Sequence, residues 1–438
     1  MTLMREAGSD GFMARLLHRV YRSSSSGLFS QGYVLVANQL LSAGLGLVYW
    51  AVAARLLVPD DIGLASSTIS GIILLSMVSE LGIKAALTRY TAQVGRSFRG
   101  FVIVCYALNI LAGVIVWAAL MQSGLIDYVI PGESGNELAV LAAIICSTLF
   151  YVQDGVLLAR RKIWLVLIEG ALYNLIKLGL LVALALLGSG DPIVLSWFAP
   201  MPVFLIAIGL IVFNRQSHER AFHDHHRENE ANYRQIVSVV GYDYVGGLMN
   251  EAAIRLLPLI VFNSLGGAAA AFFFQGWLIA NTLRLASQSL ATSFTVVVAA
   301  APDTLARNAR HTLIHLLLLV AAAAGVFVLT APLLLSLLGR VYIENSVAIL
   351  RLLALSSIPM AINVWFVAYA RLRGWGRAMM INYAIQGIAT IALALLLVPL
   401  LGLNGIGLAC ILGQVAAVMQ TAGTVREVLT TQPSRAIA

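Results

Sequence analysis

Residues 241–258 read GYDYVGGLMNEAAIRLLP. Apolar residues surround this stretch and run on to Phe262, so its length and hydropathy predict a membrane-crossing helix. Yet it carries Asp243, Asn250, Glu251 and Arg255, a Gly246-Gly247 pair and Pro258. An ionisable side chain at bilayer depth costs roughly 3 kcal/mol on insertion scales. Such groups face a bundle interior or a watery cavity, and they mark a functional site by default. The stretch also opens the second half of the chain, after its longest polar interruption. It reads as one wall of a solvated chamber between two halves of six helices each.

Composition supports that reading along the whole length. Of 438 residues, 60% are hydrophobic and only 11% charged, with a mean hydropathy of +0.89. Apolar runs of span length recur from end to end, without the short alternating strands of a β-barrel. The expected fold is an all-α polytopic membrane protein of about twelve transmembrane helices. Spans are expected near 31–55, 62–88, 98–121, 137–159, 164–187, 192–214, 235–262, 268–298, 311–337, 345–369, 377–399 and 404–425. The second and eighth are long enough to bend or to run partly outside the membrane. This divides the chain into an N-terminal segment (1–30), an N-lobe (31–214), a linker (215–234), a C-lobe (235–425) and a tail (426–438).

The connecting loops orient the spans. Alternate loops hold Arg15 and Arg19; Arg96 and Arg99; Arg160 and Lys162; Arg220 and Arg234; Arg307 and Arg310; Arg371 and Arg373; and finally Arg426. The opposite loops hold Arg55 and Arg340 and otherwise acids such as Asp60, Asp61, Glu133 and Asp191. Positive charge concentrates on cytoplasmic loops, so the expectation is an inner-membrane protein with both termini cytoplasmic. No cleavable signal peptide is legible. Residues 11–26 are basic and amphipathic, either a helix lying on the anionic leaflet or a solvated tail. The linker histidines, His218, His223, His225 and His226, lack zincin spacing and read as solvated. Cys105, Cys146 and Cys410 lie in apolar segments and read as packing residues. An internal repeat is faint: Ala159-Arg160-Arg161-Lys162-Ile163-Trp164 and Ala370-Arg371-Leu372-Arg373-Gly374-Trp375 both read A-R-x-[KR]-x-W. Six spans per half make such a repeat parallel, with a pseudo-two-fold axis along the membrane normal.

No GxxxxGK[ST], GxSxG or HExxH occurs, so no ATPase or hydrolase motif is present. Neither a cofactor nor nucleic acid enters the reading. What carries chemistry is intramembrane charge. Lys177 and Arg284 fall near mid-span, and Arg255 and Arg351 in the halves away from the basic loops. Glu80, Asp154, Glu169 and Asp243 sit nearer the basic ends. Glu251 and Arg255, and likewise Glu80 and Lys84, are four residues apart, which favours structural ion pairs. Arg284 and Lys177 have no acid at helical spacing. Arg284 shares a polar stripe with Asn281 and Gln288. Further stripes occur in spans one, two and eleven, where the last holds Asn382 and Gln386. An unpaired cation in a hydrated cavity suits an anionic, phosphate-bearing substrate. That expectation makes Arg284, Lys177, Arg255, Arg351, Asn281 and Gln288 substrate-binding, with Glu251, Asp243, Glu80 and Asp154 in gating or coupling.

Two segments carry a resemblance. Residues 53–65, AARLLVPDDIGLA, resemble the "ARLLxPxxxGxxA" turn of polysaccharide flippases. Residues 81–90, LGIKAALTRY, resemble their "LGxxxALxRY" end of the second span. These flippases belong to the multidrug/oligosaccharidyl-lipid/polysaccharide exporter superfamily. The resemblance implies two six-helix lobes around a V-shaped cavity and alternating access. It implies a lipid-linked oligosaccharide as substrate, its pyrophosphate met by cavity cations, and a polysaccharide polymerase and glycosyltransferases as partners beside the membrane lipids. It also places a cavity arginine on the eighth span, where Arg284 falls. A cation-coupled drug antiporter of the same fold would lean instead on acids such as Asp154 or Glu251.

Overall fold

The computed structural model describes residues 27–87, 98–132, 136–160, 162–188, 190–213, 233–301 and 304–430. The basic N-terminal segment, Arg96, the linker histidines and the tail after Thr430 lie outside the described residues, as does the side chain of Asp243. The described chain is all helical: α1 (Gly27–Leu56), α2 (Pro59–Ser79), α3 (Phe98–Ser123), α4 (Ile126–Val129), α5 (Glu137–Ala159), α6 (Ile163–Leu186), α7 (Pro192–Phe198), α8 (Met201–Phe213), α9 (Tyr233–Leu265), α10 (Gly267–Ala300), α11 (Leu305–Ser336), α12 (Arg340–Leu372), α13 (Gly376–Leu401) and α14 (Leu403–Thr430). Ten spans among the described residues are long and apolar enough to cross a membrane, α7 and α8 together forming one. Helices α1 and α10 complete twelve, in an N-lobe (α1–α8) and a C-lobe (α9–α14).

Two expected spans are broken, each for a local reason. Span two stops at Ser79, where Leu81 and Gly82 take positive φ (54° and 74°). The Glu80 carboxylate accepts the N–H of Gly82 at 3.0 Å and that of Lys84, capping the helical turn that resumes beyond. Span six breaks between Phe198 and Met201. Pro200 has no N–H to continue the first helix, and its carbonyl accepts the N–H groups of Val203 and Phe204 to start the second. Span eight, long enough to bend or to run partly outside the membrane, is one continuous helix from Gly267 to Ala300. The two basic turns close alike: Lys162 N–H bonds the Leu157 carbonyl (2.9 Å) and Trp375 N–H the Ala370 carbonyl (2.8 Å). By this bond Arg160 is the counterpart of Arg373 in the repeat, two residues further on than the letter match.

The lobes meet at one end and part at the other. At the end away from the basic turns, a single apolar core takes Tyr49, Trp50, Ile62 and Ile69 from the N-lobe and Leu257, Ile260, Phe273 and Phe274 from the C-lobe. The Trp50 and Phe274 rings lie 4.5 Å apart. Pro59 starts α2 with its φ preset and no N–H to satisfy. Asp60 then reaches across, its Oδ1 accepting the N–H of Ala268 in the first turn of α10 at 3.0 Å, where a helix end has free donors and favours negative charge. A Cβ on Gly63 would overlap the carbonyl oxygen of Gly267, so only glycine permits this approach. Arg55 adds hydrogen bonds to the carbonyls of Ser336 (2.8 Å) and Leu337 (3.0 Å). At the arginine end the cores are separate, one wholly in the C-lobe around Trp365 and Phe366 and one wholly in the N-lobe around Leu87 and Val156. The space between is the cavity.

Candidate substrate cavity

A cavity of about 600 Å³ runs along α9, α10, α12, α13 and α14, with Gln39, Met77, Glu80 and Tyr151 closing it from the N-lobe. Asn281, Arg284 and Gln288 all line it, because spacings of three and seven residues keep them on one face of α10. Arg284 is held at two points. Its Nε donates to Asn281 Oδ1 at 2.7 Å, and its Nη1 donates to Glu251 Oε1 on α9 at 3.2 Å. Both members of that pair keep solvent access, with side chains 19% and 31% exposed, so the pair is weak in net terms and open to exchange.

This corrects the expected pairing. Glu251 turns to Arg284 on the neighbouring helix, not to Arg255 one turn along its own. Arg284 therefore has an acid partner, invisible to a search at helical spacing. Arg255 has no ion pair among the described residues, and its Nε is buried without a hydrogen-bond partner. It lies close enough for Glu251 and Arg284 both to act on it. Arg255, expected to bind substrate, is not part of the cavity wall.

The other expected site residues divide. Glu80 lines the cavity, but its oxygens are engaged in capping the break in span two. Lys84, expected to pair with Glu80, bonds Asp154 Oδ2 at 3.1 Å instead, beneath the Tyr151 ring. Arg351 is exposed on α12, donating to the Val328 carbonyl at 3.1 Å, and is not part of the cavity wall. Lys177 is also outside it. Only 3% exposed, it lies 3.8 Å from the Trp197 ring centroid, 4.7 Å from that of Tyr49 and 5.4 Å from that of Tyr173. The idea that Lys177 and Arg284 face one cavity fails because α6 turns Lys177 into the aromatic packing of the N-lobe. Near the basic turns, Glu169 is buried, with Gln153 donating to its Oε1 at 2.9 Å and Oε2 lacking a partner among the described residues.

One part of the wall escaped sequence reading. Asn363 on α12 donates to the side-chain oxygen of Gln414 on α14 (2.8 Å), and Asn382 and Gln386 on α13 continue the ladder. Only the Asn382–Gln386 spacing signalled it; Asn363 and Gln414 are single amides in apolar runs.

No protein-family model matches the chain, and no curated protein does. Solved structures do match in fold. An outward-facing multidrug resistance MATE family transporter of the MOP superfamily aligns at TM-score 0.62 and 18% identity, over 92% of this chain and 97% of that one. A MOP superfamily transporter from Pyrococcus furiosus, described as having reversed binding-pocket polarity, aligns at 0.61 and 16% over the same shares. The lipid II flippase MurJ, in an inward-closed conformation, aligns at 0.71 and 13% identity, over 92% and 89%.

Proposed function

We propose that this protein is a MOP-superfamily flippase that moves a lipid-linked oligosaccharide across the inner membrane, gripping its polyprenyl pyrophosphate in the cavity. The fold shared with membrane transporters and with a lipid flippase supports the general class. The observation that carries the finer reading is electrostatic: Arg284 lines the cavity, and its pair with Glu251 is partly solvent-exposed, so an incoming anion can displace the carboxylate. A pyrophosphate offers two or three negative charges. It competes with Glu251 for the Arg284 fork, whose planar donors suit phosphate oxygens. Asn281 fixes the fork in place beforehand through Nε.

The basic turns are assigned to the cytoplasm by the positive-inside rule. The shared apolar core then seals the outer end, and the cavity receives substrate from the inner leaflet. Release outward requires parting the Asp60–Ala268 and Arg55–Ser336 contacts, with Glu251 retaking Arg284 as the pyrophosphate leaves. Reporters fused after Arg373 should be cytoplasmic and those after Pro131 external; the reverse would invert the direction of transport.

The test is flipping in liposomes, followed by quenching of a fluorescent polyprenyl-pyrophosphate oligosaccharide. Wild-type protein should accelerate its movement, and Arg284→Ala should slow that by about thirtyfold, the equivalent of roughly 2 kcal/mol of charge-assisted bonding. Protein that leaves the rate at that of empty liposomes would refute the reading. The carboxylates at Glu251, Glu80 and Glu169 favour one rival, a cation-coupled multidrug antiporter. It predicts efflux of a lipophilic cation driven by an imposed proton or sodium gradient, with Glu251→Gln abolishing it.

A further inference from the structure

The cavity has a second, uncharged recognition surface, and we infer that the amide ladder of α12, α13 and α14 is a sugar subsite for the glycan that the pyrophosphate carries. The inference rests on the flippase reading and adds to it where, and by what chemistry, the carbohydrate is held. Asn363 and Asn382 are fully buried. Asn363 Nδ2 donates to both the side-chain and backbone oxygens of Gln414, at 2.8 and 3.0 Å. Asn382 Nδ2 points to Asn363 Oδ1 at 3.3 Å, and Gln386 Nε2 donates to Asn382 Oδ1 at 2.6 Å.

Amides commonly join helices inside membranes, and a ladder serving only that purpose closes on itself. This one does not. It branches at Asn382, whose Nδ2 also reaches the Ala417 carbonyl and Gln420 Oε1, each at 3.3 Å, and two of its members, Gln386 and Gln414, line the cavity. Gln414 Nε2 and Gln386 Oε1 have no partner among the described residues. The ladder thus presents one donor and one acceptor, fixed in orientation by the buried asparagines behind them. A sugar hydroxyl can meet either, and an acetamido group both. Tyr383, one turn before Gln386 on α13, also lines the cavity. The volume lies within the range of small-molecule sites. No carboxylate belongs to the ladder, as suits a neutral saccharide beside a charged anchor.

The experiment is equilibrium binding to the full chain in lipid nanodiscs with two probes, polyprenyl pyrophosphate and the same lipid bearing an N-acetylhexosamine disaccharide. Wild-type protein should bind the glycosylated probe about tenfold more tightly. Gln386→Met and Gln414→Met should each remove most of that increment and leave affinity for polyprenyl pyrophosphate unchanged, whereas Arg284→Ala should weaken both probes. The two glutamines lie on different helices, so each variant controls for misfolding of the other. Methionine variants that bind the glycosylated probe like wild type, or that weaken both probes equally, would show the ladder to be packing alone. Wild-type protein that binds neither probe would overturn the flippase reading itself; binding of both probes with equal affinity would overturn only the sugar subsite.

Discussion

In the N-lobe, the ammonium of Lys177 is enclosed by Trp197, Tyr49 and Tyr173. In the C-lobe, the guanidinium of Arg284 is gripped by Asn281 and Glu251 on the wall of the cavity. The sequence offers the two as equivalents: each a cation near mid-span, neither with an acid on its own helix face. What separates them is the set of neighbours brought by other helices. A compact ammonium rests on aromatic faces, where cation–π attraction offsets part of its lost hydration. A guanidinium carries five donors in a planar fork and needs oxygen acceptors. The first arrangement belongs to the packed interior of a lobe, while the second is exchangeable, because a ligand oxygen can replace Glu251. Depth in the membrane alone does not make a binding residue.

The sharpest way to break this contrast is through the closed end. Tyr49 and Trp197 belong to or pack against the core that both lobes share, so sealing Lys177 depends on that closure. Gly63→Val inserts side-chain atoms where the Gly267 carbonyl lies. It should abolish transport, and spin-label distances between α2 and α10 at that end should lengthen. An unchanged distance would show that the glycine contact does not set the closure.

Next in size is the charge itself. Arg284→Ala should cut flipping about thirtyfold, while Arg284→Lys should recover part of it, since charge survives and the fork does not. Lys177→Met should keep flipping within about threefold of wild type, with a thermal midpoint unchanged or raised, because an apolar side chain of similar length avoids the cost of burying a charge. Loss of transport with normal folding in Lys177→Met would place Lys177 back among the working residues.

The smallest expected effect separates the two possible partners of Glu251. A double-mutant cycle on Glu251→Gln and Arg284→Gln should give a coupling of about 1 kcal/mol, modest because both side chains are partly exposed. The corresponding cycle with Arg255→Gln should give less than half of that. Equal couplings would mean that the two arginines share the carboxylate evenly.

Much of the fold was legible because span length and loop charge are local properties. Each apolar run stands out by itself, and Pro59 with Asp60 and Asp61 marks the start of α2 without any tertiary information. The breaks at Leu81 and Pro200 were less visible, since a leucine with positive φ carries no sequence signature and apolar residues continue on both sides of Pro200. For the cavity, the stripe of Asn281, Arg284 and Gln288 was readable because one helix supplies all three. Pairings between helices were not. Glu251 with Arg284, Lys84 with Asp154 and the Asn363–Gln414 bond join residues 33, 70 and 51 positions apart, and each replaced or escaped a reading made at spacing four. Arg351 was misplaced because periodicity fixes which residues share a face but not which way that face turns.

The measurement that bears most directly on the contrast is side-chain accessibility in the membrane. Cys105, Cys146 and Cys410 are unpaired, and Cys410 lines the cavity, so all three are first replaced by alanine. Gln288→Cys and Lys177→Cys are then compared for reaction with a charged, water-soluble thiol reagent, with and without polyprenyl pyrophosphate. Labelling should be fast at position 288 and slowed by the pyrophosphate lipid, and negligible at position 177 under either condition. Labelling at position 177 that is as fast as at 288 and equally protected would contradict that contrast, and would put both cations in one cavity.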